Sequence, residues 1–175
     1  SPRRLLVYAH YDPDGVVHEY VLHALRALQP VCAAVHFVTT SRLPPSEAAK
    51  LDAFIDRRAE VPNVGYDFGM WKAALLAAPV DEFDELVLMN SSVYGPFGDA
   101  ASLFDRMRDV PCDAWGITES LEYDRHLQSY FIVFRRSVLG SDAFRAFWSS
   151  VLPYRNKLQV IRSYEIGLTQ WLEEN

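Results

Sequence analysis

The segment Asn63-Val-Gly-Tyr-Asp-Phe-Gly-Met-Trp-Lys72 brings polar residues and glycines together just before a predicted helix. Gly65 and Gly69 permit close backbone approach or a positive φ. The free N–H groups at the start of a helix can bind an anion such as a diphosphate. Asp67 suits a ribose or sugar hydroxyl better than a phosphate. The segment is equally compatible with a simple turn in which Asp67 caps the helix and Trp71 packs in the core.

Asn90, Ser91 and Ser92 directly follow a predicted buried strand, and Tyr94 lies in the loop after them. Their amide and hydroxyl groups can form hydrogen bonds with a sugar or assist a metal ion. Divalent cations such as Mg²⁺ prefer carboxylate oxygens, so these three side chains are poor as sole ligands. The alternative is a strand-to-loop exit with ordinary Asx-type turn chemistry.

Two further polar clusters lie late in the chain. His126, Gln128 and Tyr130 share one face of a predicted strand, because alternate residues of a strand point the same way. They can contact sugar hydroxyls or phosphate, although a single histidine is more often structural. Tyr164 and Glu165 open the last predicted helix. A glutamate there is favourable for the helix dipole, and an accessible one can also act as a general base toward a hydroxyl.

The elements that must position these residues alternate between strands and helices. Predicted strands cover 5–9, 33–38, 86–89, 114–118 and 129–134, with helices predicted at 17–28, 45–55, 67–78, 101–107, 144–152 and 168–172. This order predicts an α/β fold with a mostly parallel central sheet flanked by helices. Polar clusters end three strands: His10-Tyr11-Asp12, Thr39-Thr40-Ser41 and Asn90-Ser91-Ser92. Ligands of such sheets bind at the carboxyl ends of the strands, so we predict a site there.

Length and composition bound the class of protein. The chain has 175 residues, half of them hydrophobic, which suits a single domain over 1–175. Its net charge of −6 argues against nucleic acid as a partner. Cys32 and Cys112 lack metal or disulfide spacing, and the sequence has no predicted signal peptide or membrane span, which favours a cytoplasmic location. Predicted elements begin at residue 5 and continue to residue 172, close to both ends of the sequence. This also fits a domain cut from a longer chain with further domains.

Taken in order, five blocks of the sequence resemble the rhamnan synthesis protein F family, whose members are taken to be rhamnosyltransferases. The blocks lie at 63–72, 88–96, 115–118, 126–131 and 164–168, and the similarity runs over nearly the whole chain. The resemblance implies a GT-A-like (Rossmann-like) glycosyltransferase with a nucleotide-diphosphate-sugar donor, dTDP-L-rhamnose. It also implies inverting transfer to a polysaccharide or lipid-linked glycan in cell-surface polysaccharide (lipopolysaccharide) synthesis, with peripheral association at the inner face of the membrane.

The resemblance gives the clusters their roles as a hypothesis. Glu165 is the general base. Donor-binding residues are His10, Tyr11, Asp12, Asn63, Gly65, Asp67, Gly69, Lys72, Asn90, Ser91, Ser92 and Tyr94. Tyr8, together with His10 and Tyr11, lines a pocket for the nucleotide base of the donor. Residues that contact sugar or acceptor are Trp115, His126, Gln128, Tyr130 and Tyr164, and Trp71 offers a further apolar face.

Position 91 departs from the family pattern and leaves three alternatives for a metal. Relatives carry Asn-Asp-Ser where this chain has Asn90-Ser91-Ser92, so one carboxylate is missing. Asp67 or Asp12 then supplies a ligand for Mn²⁺ or Mg²⁺, or transfer is metal-independent, or the domain binds without turnover. A non-catalytic glycan- or nucleotide-binding partner domain is therefore a second hypothesis. A zinc-dependent deacetylase is a third, because the loop at 8–14 superficially matches a His-Asp zinc loop.

Overall fold

The structure is a computed structural model of the chain. It describes residues 1–92, 98–117, 119–120, 126–127, 130–152, 163–164 and 167–174, and only the backbone of 119–120, 126–127 and 173–174.

The strands are β1 (Arg4–His10), β2 (Ala34–Thr39), β3 (Arg57–Glu60), β4 (Glu85–Asn90), β5 (Ala114–Gly116), β6 (Glu119–Ser120), β7 (His126–Leu127) and β8 (Phe131–Arg135). The helices are α1 (Glu19–Leu28), α2 (Pro45–Ala49), α3 (Tyr66–Leu76), α4 (Ala100–Met107), α5 (Arg136–Leu139), α6 (Asp142–Ser150) and α7 (Gly167–Glu174). Single 3₁₀ turns occupy Gln29–Val31 and Val80–Glu82.

Six strands form one sheet in the order β3-β2-β1-β4-β8-β5, and β6 pairs with β7 separately. The pairs β1–β2, β1–β4 and β2–β3 are parallel, whereas β8 is antiparallel to both β4 and β5. The central strands β1 and β4 are buried at every position, as continuous apolar runs in a parallel sheet require. The predicted α/β fold with a mostly parallel sheet is confirmed.

Side-chain alternation along β1 feeds two separate cores. Leu5 and Val7 pack on one side of the sheet with α3, α5, α6 and α7. Leu6 and Tyr8 pack on the other side with α1 and α4. The described chain therefore has three layers, with the sheet between two sets of helices.

The strand β3 was absent from our sequence prediction. It reads Arg57-Arg58-Ala59-Glu60 and exposes three of its four residues at the sheet edge. An exposed edge strand needs no apolar side chains, so periodicity gave no signal for it. Its position matters because β3 delivers the chain to residues 61–65 and then to α3, at the edge where β1, β2 and β4 also end.

Candidate functional site

A cavity of about 750 Å³ opens at this carboxyl edge of the sheet. Its walls come from the ends of β1, β2 and β4 and from the start of α3: Tyr11, Thr40, Asn63, Val64, Gly65, Tyr66, Asp67, Met70, Ser91 and Ser92. The predicted convergence of strand-end clusters with the segment at 63–72 therefore occurs.

Two glycines shape the wall at the start of α3, for different reasons. Gly65 precedes the helix with φ of 81°, a left-handed conformation that glycine adopts without strain. Gly69 lies inside the first turns, where an added Cβ would lie 2.2 Å from the carbonyl oxygen of Val64. The N–H of Gly69 donates to the carbonyl of Gly65 at 2.9 Å. Gly65 thus turns the chain, and Gly69 lets the loop pack against the helix.

The amino end of α3 contributes to the cavity wall, together with the Asp67 carboxylate in its first turn. The first N–H groups of a helix have no carbonyl partner within it, and the helix dipole adds a partial positive charge there. Tyr66, the first helical residue, adopts φ of 53° and its side chain is 40% exposed at the cavity. Such a helix end can bind an anionic group without a cationic side chain.

Asp67 and Asn90 join the helix to the strand end. Asn90 Nδ2 donates to Asp67 Oδ2 at 2.9 Å, and Asn90 Oδ1 accepts from the N–H of Ser92 at 3.0 Å. Asp67 lines the cavity, whereas Asn90 is 3% exposed and does not. Asn90, predicted to contact the donor, is therefore a buried support of the wall.

Tyr11 and Ser91 form another part of the wall. The Tyr11 side chain is 51% exposed, and its N–H donates to Ser91 Oγ at 3.3 Å. The N–H of Ser91 donates to the carbonyl of Ala9, and its carbonyl accepts from the Tyr20 hydroxyl at 3.1 Å. The hydroxyl at position 91 thus helps to hold the loop after β1 in place.

His10 was predicted to bind the donor, but it lies in the interior. Its Nε2 is 3.2 Å from the carbonyl oxygen of Val16, which can only accept, so this nitrogen carries the proton. Its Nδ1 is 3.0 Å from Thr39 Oγ1, which also accepts from the N–H of Ser41. Burial lowers the pKa of His10 below its ordinary value. With both ring nitrogens engaged, His10 is unsuited to bind zinc, and the deacetylase hypothesis loses its main ligand.

Asp12 also turns away from the cavity. Its carboxylate accepts from the N–H groups of Asp14 and Val16, both at 2.9 Å, and lies 2.9 Å from His18 Nε2. Although its partial burial acts in the opposite direction, these hydrogen bonds hold the pKa of Asp12 below its ordinary value. Asp12 closes its own loop and lies outside the cavity lining.

Four predicted contacts are packing residues instead. Lys72 Nζ donates to the carbonyls of Ser149 and Val151, at 2.9 and 2.6 Å, and ties α3 to the end of α6. Tyr8 and Trp71 are fully buried, and Trp115 is buried against the Phe104 ring. These four side chains lie outside the cavity wall, so the turn-and-core interpretation was correct for Trp71.

The late clusters are only partly described. Tyr164 is buried, stacks on Phe68 at 5.4 Å and donates from its hydroxyl to the Leu152 carbonyl. It therefore holds the chain near α7 against α3. The carbonyl of Tyr130 accepts from the N–H of Asn90. Tyr94, Gln128 and Glu165 lie outside the described residues, and of His126 only the backbone, in β7, is described.

Four residues of the wall were not among the predicted site residues: Thr40, Val64, Tyr66 and Met70. Thr40 belongs to the strand-end cluster Thr39-Thr40-Ser41, and the other three lie inside the glycine-marked segment at 63–72. Val64 and Tyr66 are partly exposed on either side of the turn at Gly65, whereas Met70 is 2% exposed. Periodicity does not report the positive φ that makes this turn.

The described residues offer limited ligands for a cation. Within the part of the chain that the structure describes, no group of three or more His, Cys, Asp or Glu side chains could hold a metal ion. Asp67 is the carboxylate among the lining residues, beside the hydroxyls of Ser91 and Ser92. Mg²⁺ is commonly held through one or two carboxylates plus substrate phosphates, so this wall fits a cation shared with a bound diphosphate. No described helix has the length and apolar character needed to cross a membrane.

Sequence comparison identifies a family. A model of the rhamnan synthesis protein F family matches residues 35–175. The uncharacterized protein y4gN of Sinorhizobium fredii is 30% identical over 166 residues, which cover 91% of this chain and 43% of that protein. The chain thus spans less than half the length of this relative.

Structural comparison concerns the fold alone, because the identities are low. The 4-diphosphocytidyl-2C-methyl-D-erythritol synthase of Anaerococcus prevotii superposes with a TM-score of 0.52 at 8% identity, covering 93% of this chain and 82% of that one. A candidate nucleotide-diphospho-sugar transferase of Desulfovibrio desulfuricans gives a TM-score of 0.49 at 18% identity, covering 91% and 75%. The first of these shares the α/β fold described above.

Proposed function

The chain belongs to the rhamnan synthesis protein F family, and on that premise we propose that it is a glycosyltransferase domain that binds a nucleotide-diphosphate sugar in the cavity beside α3. The observation that carries this proposal is the cavity itself. Its wall combines a helix amino end for the diphosphate with hydroxyl, amide and aromatic side chains for the rest of the donor. A nucleotide-diphosphate sugar carries both an anionic group and sugar hydroxyls, and each would meet a matching part of this wall.

The identity of the donor and the acceptor is proposed from the family to which the chain belongs. We propose dTDP-L-rhamnose as donor and a polysaccharide or lipid-linked glycan as acceptor, with inversion at the anomeric carbon. We propose that this transfer takes place at the cytoplasmic face of the membrane, in the synthesis of surface polysaccharide. Tyr11 and Tyr66, both partly exposed at the cavity, supply flat apolar surfaces for the base and the sugar. Because the chain covers 43% of y4gN, the remainder of a longer protein can contribute the acceptor site.

The proposed reaction is a single displacement. The acceptor hydroxyl oxygen bonds to the anomeric carbon, and its proton passes to the carboxylate of Glu165. The bond between the anomeric carbon and the diphosphate oxygen breaks, and its electron pair leaves with the diphosphate. The amino end of α3 stabilises the charge that grows on this leaving group. Lys72, predicted as a donor-binding residue, instead donates to the carbonyls of Ser149 and Val151.

A cation would be held by Asp67 together with the diphosphate oxygens, with Ser91 and Ser92 nearby. When bound, Mn²⁺ or Mg²⁺ would supply electrostatic stabilisation of the leaving diphosphate. The helix end and the cation act on the same group, so metal dependence measures how much each contributes.

Donor binding and turnover test the proposal. The protein is incubated with dTDP-L-rhamnose and with UDP-sugars, with and without Mn²⁺, and calorimetry measures binding while sugar release measures hydrolysis. We expect binding of at least one nucleotide sugar and slow hydrolysis. If the protein binds none of the nucleotide sugars tested, the enzyme proposal is wrong. Unchanged turnover in Glu165→Gln would remove Glu165 as the base.

A non-catalytic binding domain is the second proposal, and Ser91 favours it. The Ser91 hydroxyl accepts from the N–H of Tyr11, so this position supports a loop where the family resemblance implies a carboxylate. This proposal predicts donor binding with no sugar release, even with acceptor glycan and Mn²⁺ present. Sugar release would exclude it.

A further inference from the structure

Asn90 is held by three hydrogen bonds, one from its backbone and two from its side chain. It is the last residue of β4, and its backbone N–H donates to the carbonyl of Tyr130. Its Oδ1 accepts from the N–H of Ser92. Because that N–H can only donate, it determines which end of the amide is oxygen, and Nδ2 must face Asp67. The orientation of the Asn90 side chain is therefore set by the backbone beside it.

Asp67 accepts the hydrogen bond from this fixed amide and also lines the cavity. Its carboxylate lies in the first turn of α3, and its Oδ2 is 2.9 Å from Asn90 Nδ2. Asp67 is half-buried and lines the cavity, whereas Asn90 is almost fully buried behind it. The pair thus consists of one group that a ligand can reach and one that it cannot.

We propose that Asn90 is a positioning residue that never touches the donor and that holds the Asp67 carboxylate toward the donor's ribose or sugar hydroxyls. The same amide joins the Ser91-Ser92 loop to α3, so one side chain keeps two parts of the cavity wall in register. This inference rests on the proposed function, because it assumes that the cavity binds a nucleotide sugar. It predicts that donor binding requires the negative charge to be at position 67, on α3. A hydrogen bond between positions 67 and 90 is not sufficient for binding without that charge.

The variant Asn90→Asp tests the contact. One new carboxylate oxygen still accepts from the Ser92 N–H, whereas the other replaces the N–H donor that faces Asp67 Oδ2. The bond to the Ser92 loop is kept, and the bond that holds Asp67 is lost. We expect affinity for dTDP-L-rhamnose about tenfold weaker than wild type.

The exchange variant Asp67→Asn/Asn90→Asp separates positioning from packing. It keeps one amide and one carboxylate in contact, with the donor and acceptor roles reversed, and moves the charge from α3 to the buried strand end. We expect a melting temperature near wild type, with affinity for dTDP-L-rhamnose as weak as in Asp67→Asn. Recovery of wild-type affinity by the exchange variant would overturn the proposal. Asp109→Asn, which removes one exposed charge outside the cavity, is the matched control.

The possible failures are distinguishable. If the wild-type protein binds no nucleotide sugar by calorimetry, the proposed function fails and takes this inference with it. If the wild type binds dTDP-L-rhamnose and Asn90→Asp binds it with the same affinity, the positioning role alone is wrong. Circular dichroism shows whether the variants being compared are folded.

Discussion

Two loops at the same edge of the sheet use their polar residues in opposite ways. In residues 10–18, after β1, the side chains of His10 and Asp12 bond to the loop itself and to its neighbour Thr39. In residues 61–67, after β3, the chain turns at Gly65 and faces the cavity with Asn63, Tyr66 and Asp67. The first loop is closed on itself, and the second is open to a ligand.

The difference shows why polar residues at strand ends are not equivalent. A carboxylate whose oxygens are already occupied by backbone N–H groups has little left to offer a ligand, and removing it leaves those donors unsatisfied. The closed loop still matters for the site, because it carries the exposed side chain of Tyr11 to the cavity. We therefore expect changes in the closed loop to affect stability and changes in the open loop to affect binding.

The largest effect is expected for Gly69→Ala. The new Cβ would lie 2.2 Å from the Val64 carbonyl oxygen, so the loop must move off the helix, at a cost of about 2–3 kcal/mol. The melting temperature and donor affinity should fall together. Gly140→Ala is the matched control, because its added Cβ would lie 3.8 Å from the Arg136 carbonyl oxygen, an ordinary van der Waals distance. Equal melting temperatures for the two variants would show that the close approach at Gly69 is not needed.

The comparison is sharpened by two carboxylate variants. Asp12→Ala leaves the N–H groups of Asp14 and Val16 without their acceptor and should cost about 1–2 kcal/mol in the free energy of unfolding. The folded fraction should still bind nucleotide sugar within about twofold of wild type. Asp67→Asn should do the reverse, with near-wild-type stability and weakened binding. Urea denaturation measures the free energy of unfolding, and calorimetry on the same samples measures donor affinity. A loss of affinity in folded Asp12→Ala would contradict the proposed difference between the two loops.

The smallest effect is a pH dependence of stability from His10. Burial holds its folded-state pKa below the ordinary value near 6.5. The unfolded chain therefore binds more protons just below pH 6.5, and His10 makes the fold less stable as pH falls from there toward its folded-state pKa. In His10→Gln this decline should be weaker. The pKa of half-buried His36 is lowered too, so His36→Gln is a comparison, and an unchanged pH profile in His10→Gln would contradict the burial argument.

Much of the fold followed from the sequence because the central strands are buried on both sides. Apolar runs in β1, β2 and β4 and the intervening helical patterns were enough to predict a mostly parallel sheet. The edge strand β3 could not be found this way, since three of its four residues are exposed. The antiparallel direction of β8 is also invisible to periodicity, because a reversed strand has the same pattern of side chains.

The sequence was enough to predict which segments form the candidate site, but not which of their side chains face the cavity. The glycine-marked segment at 63–72 and the strand-end residues Tyr11, Ser91 and Ser92 do meet at one cavity. Sequence could not reveal that Lys72 bonds to two carbonyls of the chain around α6, or that both nitrogens of His10 are engaged. Hydrogen-bond partners that are distant in sequence decide which polar residues remain available. The role of Glu165, outside the described residues, stays a prediction.

The most direct test of the account is to locate dTDP on the folded protein by NMR. Titration of the ¹⁵N-labelled chain should shift the amide resonances of Gly65, Tyr66, Asp67 and Phe68, at the start of α3, as the diphosphate binds there. The amides of Asp14 and Val16, which the Asp12 carboxylate already binds, should move little. Saturable binding that leaves the start of α3 unperturbed, or no binding at millimolar dTDP, would contradict the claim that this helix end and its cavity form the donor site.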